Sequence, residues 1–298
     1  MIINLRELTQ SIVEEKLLVL FSLLSFSLAA LVYANFQPNL YRAETLLVPV
    51  SGQQFSANEN SFLDSISEIP GISRAGFTDS GVSDAERILA ILESRKFIGE
   101  FIHNHQLMLP LMASKPSNAS GAVVIDDKKY DELTSTWLIE NNIGKDAPPT
   151  ELQVYDAFRK IMRVNYDIDR GFIVLAIEWY DPIQISSWVN WLVQDLNEYV
   201  KKNDLQEAEQ AIEFLKTQVS NTQLVDMKNI FYKLIETQTQ TLMLADVREQ
   251  YALQVIDPAV IPEVKVSPDR FLIVALGIAL GFVVVMLLLL YKNLRNRA

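Results

Sequence analysis

Hydrophobic positions along the chain fall into two kinds of pattern: unbroken runs near both ends and periodic stripes between them. Leu17–Ala34 and Phe271–Tyr291 hold 18 and 21 consecutive uncharged, mostly apolar residues. At a rise of 1.5 Å per residue these helices would reach about 27 and 32 Å, enough to cross a hydrocarbon core of ~30 Å. The pattern predicts two transmembrane helices. Val32-Tyr33-Ala34 has the form of a signal-peptide cleavage site. The first run, however, exceeds the usual signal core of roughly 7–15 residues, and Glu14 and Glu15 stand where positive charge is expected. The segment reads as an uncleaved anchor.

Between the runs the periodicity changes several times. Leu40–Val48 has the β-favouring, partly alternating pattern of a strand. Ser51–Gly81 is rich in Ser, Gly and Asn and predicts a loop. Ser83 and Glu86 have capping-box spacing, opening a helix that places Ile88, Leu92, Ile98, Phe101 and Ile102 mostly on one face. Pro110, Pro116, Gly121, Gly144 and Pro148-Pro149 break residues 106–149 into short pieces. Thr150 and Gln153 offer a second capping box, for a helix through about Lys160. Ile161–Tyr166 and Phe172–Trp179 flank Asp167-Ile168-Asp169-Arg170-Gly171, a hairpin pattern in which Gly171 supplies a positive φ.

Asp181-Pro182 then pairs an N-cap acid with a proline at the first helical position. No further Pro or Gly occurs through Gln250. An unbroken helix over 182–250 would be about 100 Å long. Its stripe runs Leu205, Ala208, Ile212, Leu215, Val219 and resumes at Met227, Ile230, Leu234, which suits packing against neighbouring helices. A break or a hairpin near Asn221–Asp226 fits the same pattern. Tyr251–Ile256 reads as a short strand, and Pro258, Pro262 and Pro268 hold the chain extended up to the second apolar run.

Charge adds topology. With 26 basic and 37 acidic residues the net charge is −11. The two ends carry +2 and the segment between the spans the remaining −13. An acidic middle argues against nucleic acid and anionic lipid as its partners. Lys292, Arg295 and Arg297 after the second run favour the cytoplasm for that end. Two spans then put both termini on that side and residues 35–270 outside. With no cysteine, neither a disulfide framework nor a thiolate metal site can form.

Candidate chemistry is thin. His103 and His105 stand two apart, so on a helix they diverge and cannot chelate a metal as an i, i+4 pair could. A solvated helix end explains them. Asp167-Ile168-Asp169 has the Asp-x-Asp form of some metal and sugar-nucleotide sites, but the following Arg-Gly makes it turn chemistry. Asp126-Asp127 and Asp131-Glu132 could be proposed as paired glycosidase acids, yet Lys128 and Lys129 between them point to a solvated loop. No nucleophile-elbow, zincin or phosphate-loop motif occurs. The expectation is no catalytic residue, no cofactor and no metal. Gly277 and Gly281 form a G-x-x-x-G in the second run, with Ala275 and Ala279 at the same spacing, and predict a helix-packing face.

These features, in this order, resemble the Wzz-type chain-length determinants, or polysaccharide co-polymerases. The resemblance is carried by Tyr41-Arg42-Ala43, Asp167–Gly171, Asp181-Pro182, Trp188-Val189-Asn190, Asp257-Pro258-Ala259, Pro262, Pro268, Gly277 and Gly281. It implies an α+β protein of the bacterial inner membrane: a periplasmic domain over 35–270, with a small mixed α/β base and a very long protruding helix, flanked by transmembrane helices at 17–34 and 271–291. Residues 1–16 and 292–298 would be cytoplasmic. It further implies a ring-like homo-oligomer that acts as a scaffold for a membrane polysaccharide polymerase, sets O-antigen-type lipopolysaccharide chain length and contacts growing or lipid-linked glycan. One branch of the family carries a cytoplasmic tyrosine kinase. Only seven residues follow Tyr291, so the kinase-free class 1 form is expected unless the kinase is a separate chain. Two other plans share the anchor–domain–anchor layout: an adaptor of a polysaccharide export complex and a two-span periplasmic sensor. Seven residues also leave the sensor no output domain.

Overall fold

The computed structural model describes residues 16–50, 84–117, 123–138 and 147–295, and the chain divides into two compact units. One unit comprises Met1–Tyr41, Pro116–Ala122 and Glu263–Ala298; the other comprises Arg42–Lys115 and Val123–Pro262. The whole is a mixed α/β protein with one 40-residue helix and two terminal helices long and apolar enough to cross a membrane.

In the first unit, α1 (Lys16–Phe36) and a long C-terminal helix, Arg270–Arg295, pack along each other. Their apolar side chains are largely exposed: Phe21, Leu24, Leu28, Leu276, Leu280 and Leu287 are each more than half accessible. Strand β1 (Leu40–Pro49) starts in this unit, where Leu40 and Tyr41 pair antiparallel with Ser267 and Lys265.

In the second unit, helices α2 (Asp84–Leu92), α3 (Arg95–Asn104) and α4 (Met108–Ala113) follow β1. The single helix expected across 88–102 is therefore two. Ser94 ends one and starts the next: it adopts an extended conformation and its hydroxyl accepts from the Phe97 N–H. The apolar face survives the break, because Ile88, Leu92, Ile98, Phe101 and Ile102 are all buried. The Ser83 capping box and the loop expected at 51–81 lie outside the described residues.

Residues 114–137 form two small sheets, β2 (Ser114–Pro116) with β3 (Val123–Ile125) and β4 (Tyr130–Asp131) with β5 (Thr136–Trp137). Helix α5 (Glu151–Ile161) opens with the complete Thr150–Gln153 capping box. Strands β6 (Met162–Asp167) and β7 (Phe172–Trp179) form the antiparallel hairpin, with Gly171 at φ +69°. Within this unit the sheet runs β6-β7-β1 and ends on β8 (Leu253–Asp257), which lies antiparallel to β1. Helices α3 and α5 pack on one another and the next helix packs on β7. Phe97, Phe101, Phe158, Ile173, Leu175, Ile177, Leu192 and Leu196 fill that core.

The region beyond Asp181 departs from a single continuous helix over 182–250. Helix α6 spans Pro182–Asn221 and α7 spans Val225–Val247, and the two pack against each other over a short connection. Thr222 and Leu224 are extended, at φ −94°, ψ 143° and φ −79°, ψ 118°. The turn needs neither Pro nor Gly. Ser220, Asn221 and Thr222 are short polar residues that compete with the helix for its backbone groups. Ser220 Oγ already donates to the Thr217 carbonyl at 2.8 Å. Folding back lets the two halves of the apolar stripe cover one another, which a straight rod cannot do. Strand β9 (Lys265–Ser267) and α8 (Arg270–Arg295) complete the chain.

Candidate functional site

No group of three or more potential metal ligands exists among the described residues. What the fold builds instead is a set of junctions and surfaces, beginning where α6 starts. Asp181 accepts from the Ile183 and Gln184 N–H groups at 2.9 and 3.2 Å, and Pro182 occupies the first turn, where a missing N–H costs nothing. Two turns on, Asn190 donates to the Ala259 carbonyl at 3.0 Å and accepts from the Ala259 N–H at 3.2 Å. Thus Trp188-Val189-Asn190 and Asp257-Pro258-Ala259, 69 residues apart at Asn190 and Ala259, are joined by a two-point amide clamp.

A second clamp, not anticipated from the sequence, lies two turns further along. Asn197 is buried among Val193, Leu196 and Val200. Its amide donates to the Val193 and Leu253 carbonyls, both at 3.1 Å, and accepts from the Ala252 and Leu253 N–H groups at 2.7 and 2.9 Å. The signal was present: an Asn inside an otherwise apolar helical stripe must find partners or lose stability. Arg87 adds a third fastening, reaching both oxygens of Asp204 at 3.1 and 3.3 Å. Burial, then the Asp204 charge, push the nearby Tyr251 hydroxyl up to about 12.

His105 is no solvated helix end. Its Nε2 lies 2.9 Å from Asp195 Oδ2 and its ring stacks on Trp191 at 4.6 Å, with 6° between the planes. Burial pushes the Asp195 carboxyl up while the hydrogen bond to His105 opposes that. His103 is exposed, so the two imidazoles do not converge. Asp126 pairs with Lys115 at 3.1 Å, and Asp131 accepts from Thr134 Oγ1 and the Leu133 N–H. These bonds hold both carboxyls below their ordinary range. Asp167 accepts from the Arg170 N–H and serves its own turn. Asp126, Asp131 and Asp167 are thus engaged in local structure.

On α7, Thr239 and Thr241 bond back onto their own helix, their hydroxyls donating to the Ile235 and Thr237 carbonyls at 2.7 and 3.4 Å. The hairpin surface is otherwise part apolar, with Phe214, Leu224, Val225, Tyr232, Met243 and Val247 each more than half accessible.

Within the terminal unit, the glycine face of α8 lies on α1. A Cβ built on Gly277 would overlap that of Ala30, and one built on Gly281 would sit 2.9 Å from the Phe26 Cβ. The groove is occupied by the chain's own first helix, antiparallel to α8. Pro268 precedes α8 through a cis peptide bond after Ser267. Pro258 and Pro262 lie in the irregular stretch after β8.

Two family models match the chain. Residues 2–105 match "Wzz: Chain length determinant protein", and residues 225–294 match "GNVR: G-rich domain on putative tyrosine kinase". Among solved structures, a "full-length bacterial polysaccharide co-polymerase" is 10% identical, covering 98% of this chain and 99% of its own, with a TM-score of 0.41. A fragment of WzzB, a polysaccharide co-polymerase from Salmonella Typhimurium, is 9% identical, covering 77% of this chain and 100% of its own, with a TM-score of 0.30. No curated protein matches. The two family models bracket the chain, one over each terminal helix and the segment beside it.

Proposed function

We propose that this chain is a Wzz-type chain-length determinant and that it sets the length of a surface polysaccharide of the O-antigen type. The observation that carries the proposal is the bracketing of the chain by the two family matches, each including one of the two membrane-length helices. In this reading the chain crosses the inner membrane twice, both termini face the cytoplasm and the segment between the spans is periplasmic. Gly277 and Gly281 then hold the two spans together in lipid, where close packing replaces the hydrophobic drive that water supplies.

The mechanism is scaffolding by a ring of copies around a membrane polymerase. Copies meet through the hairpin of α6 and α7, whose exposed Phe214, Tyr232, Met243 and Val247 support a helix-to-helix contact with a second copy. Growing or lipid-linked glycan passes along the assembly, which biases when extension stops. No residue of the chain performs the transfer itself. Deleting the gene should leave polymer synthesis running while broadening or shifting the size ladder on a gel, and the wild-type chain should restore it. Complete loss of polymer on deletion would instead mark a catalytic or export role.

A further inference from the structure

The antiparallel contact of Gly277 with Ala30 and of Gly281 with Phe26 brings Phe36 and Phe271 to the same level along the helix pair. Both rings are more than four-fifths accessible. Just beyond them the chain leaves both helices, and three polar side chains meet there. Asn39 Oδ1 accepts from Lys265 Nζ at 3.2 Å and from Arg270 Nη2 at 3.5 Å. Two cations therefore converge on one neutral oxygen.

Neither cation has a carboxylate within ion-pair distance among the described residues. The adjacent acid is turned away: Asp269 Oδ1 accepts from the Phe271 and Leu272 N–H groups at the start of α8. Val264 and Val266, on either side of Lys265, are more than half exposed. Tyr33, also more than half exposed, accepts from Gln37 at 2.7 Å and adds a ring with a polar tip to the same end of α1. Apolar and aromatic surface along the helices, with two cations sharing one acceptor where the chain leaves them, is the layering of a bilayer interface.

The location sharpens the point. On the two-span reading this end faces the periplasm, where the cytoplasmic bias of Lys and Arg disfavours positive charge. The segment between the spans is acidic as a whole, which disfavours anionic lipid along most of it. These two cations, however, lie at its membrane end without a carboxylate partner among the described residues and need another anion locally. We propose that Lys265 and Arg270, held together by Asn39, bind the phosphate of an anionic phospholipid in the outer leaflet. Lys265 contributes a point charge and Arg270 a planar donor fork, and a phosphodiester accepts from both at once. The bound headgroup fixes the depth at which the spans hand over to the periplasmic segment. This inference rests on the two-span reading.

The test uses the full chain in vesicles of phosphatidylcholine containing trace spin-labelled phosphatidylglycerol or spin-labelled phosphatidylcholine, at low ionic strength. Spectra separate lipid held at the protein boundary from free lipid. Wild type should favour phosphatidylglycerol, by about fivefold per bound cation in the limit of full charge attraction. Lys265→Ala with Arg270→Ala should remove most of that preference, and Lys265→Arg should keep it. A variant with Lys292, Arg295 and Arg297 replaced by Ala reports the other membrane face. Preference that persists in the Lys265/Arg270 variant, or vanishes only in the tail variant, overturns the inference. Boundary lipid without headgroup preference also overturns it while leaving the two-span reading intact. Absence of boundary lipid of either kind overturns both.

Discussion

Helix α6 passes from one environment to another along its own length. Over its first half it presents Ile185, Trp188, Val189, Leu192, Val193, Leu196 and Val200 to the core, all buried. Over its second half only Ala208 and Leu215 reach that state, and α7 contributes Ala245 alone. Asn190 and Asn197 fasten the first half to elements distant in sequence, and Arg87 holds Asp204 just past the midpoint. Beyond Asp204 the helix packs with α7, and large apolar side chains are left in the open. The core region can stabilise itself, whereas on the proposed reading the exposed hairpin surface is what meets a second copy.

The comparison is broken most severely at Asn197. Asn197→Leu leaves the Ala252 and Leu253 N–H groups and the Leu253 carbonyl buried without partners, at a cost of about 3 kcal/mol or more. Denaturant titration of the detergent-solubilised protein should show that loss in the core transition. A loss under about 1 kcal/mol would mean water replaces the clamp.

A matched pair of truncations sharpens the contrast. Leu192→Ala should destabilise the core by about 2–5 kcal/mol. Leu215→Ala, at a less enclosed position, should leave the core transition in place and speed hydrogen exchange only across 203–247. Equal effects of the two on one transition would make core and hairpin a single cooperative block.

The smallest effect concerns Asp195. Burial raises its carboxyl above the ordinary value, so the folded protein holds a proton that the unfolded chain has already released. Between those two pKa values stability attributable to Asp195 falls as pH rises. Asp195→Asn should flatten that part of the stability-versus-pH curve, and an unchanged slope would show that the His105 contact cancels the burial effect.

Local chemistry was the legible part of the sequence. The Thr150–Gln153 box, the Asp181-Pro182 start, the Gly171 turn and strands β1, β6 and β7 all announce themselves through residues a few positions apart. The terminal helices do so by length and apolarity alone. What distant residues decide stayed hidden. Nothing near His105 names Asp195 or Trp191, ninety and eighty-six positions on, as its neighbours. The Thr222–Leu224 turn was only one of two readings, because the apolar stripe continues through it and the choice depends on how the two halves bury each other. The glycine spacing pointed to a packing face, but its occupant, Ala30 and Phe26, lies some 250 residues away and carries no matching signature.

The division between a self-sufficient core and an exposed hairpin carries the functional claim, and one measurement tests it directly. In cells lacking the gene, the chain is supplied either as wild type or as Phe214→Ser with Tyr232→Ser, both positions being surface-exposed. Glycan size is read on a gel alongside the membrane level of each protein. The double variant should reach the membrane at wild-type level yet leave the glycan ladder broad, as in the deletion strain. A ladder indistinguishable from wild type at equal protein level would contradict the claim that the hairpin surface sets chain length.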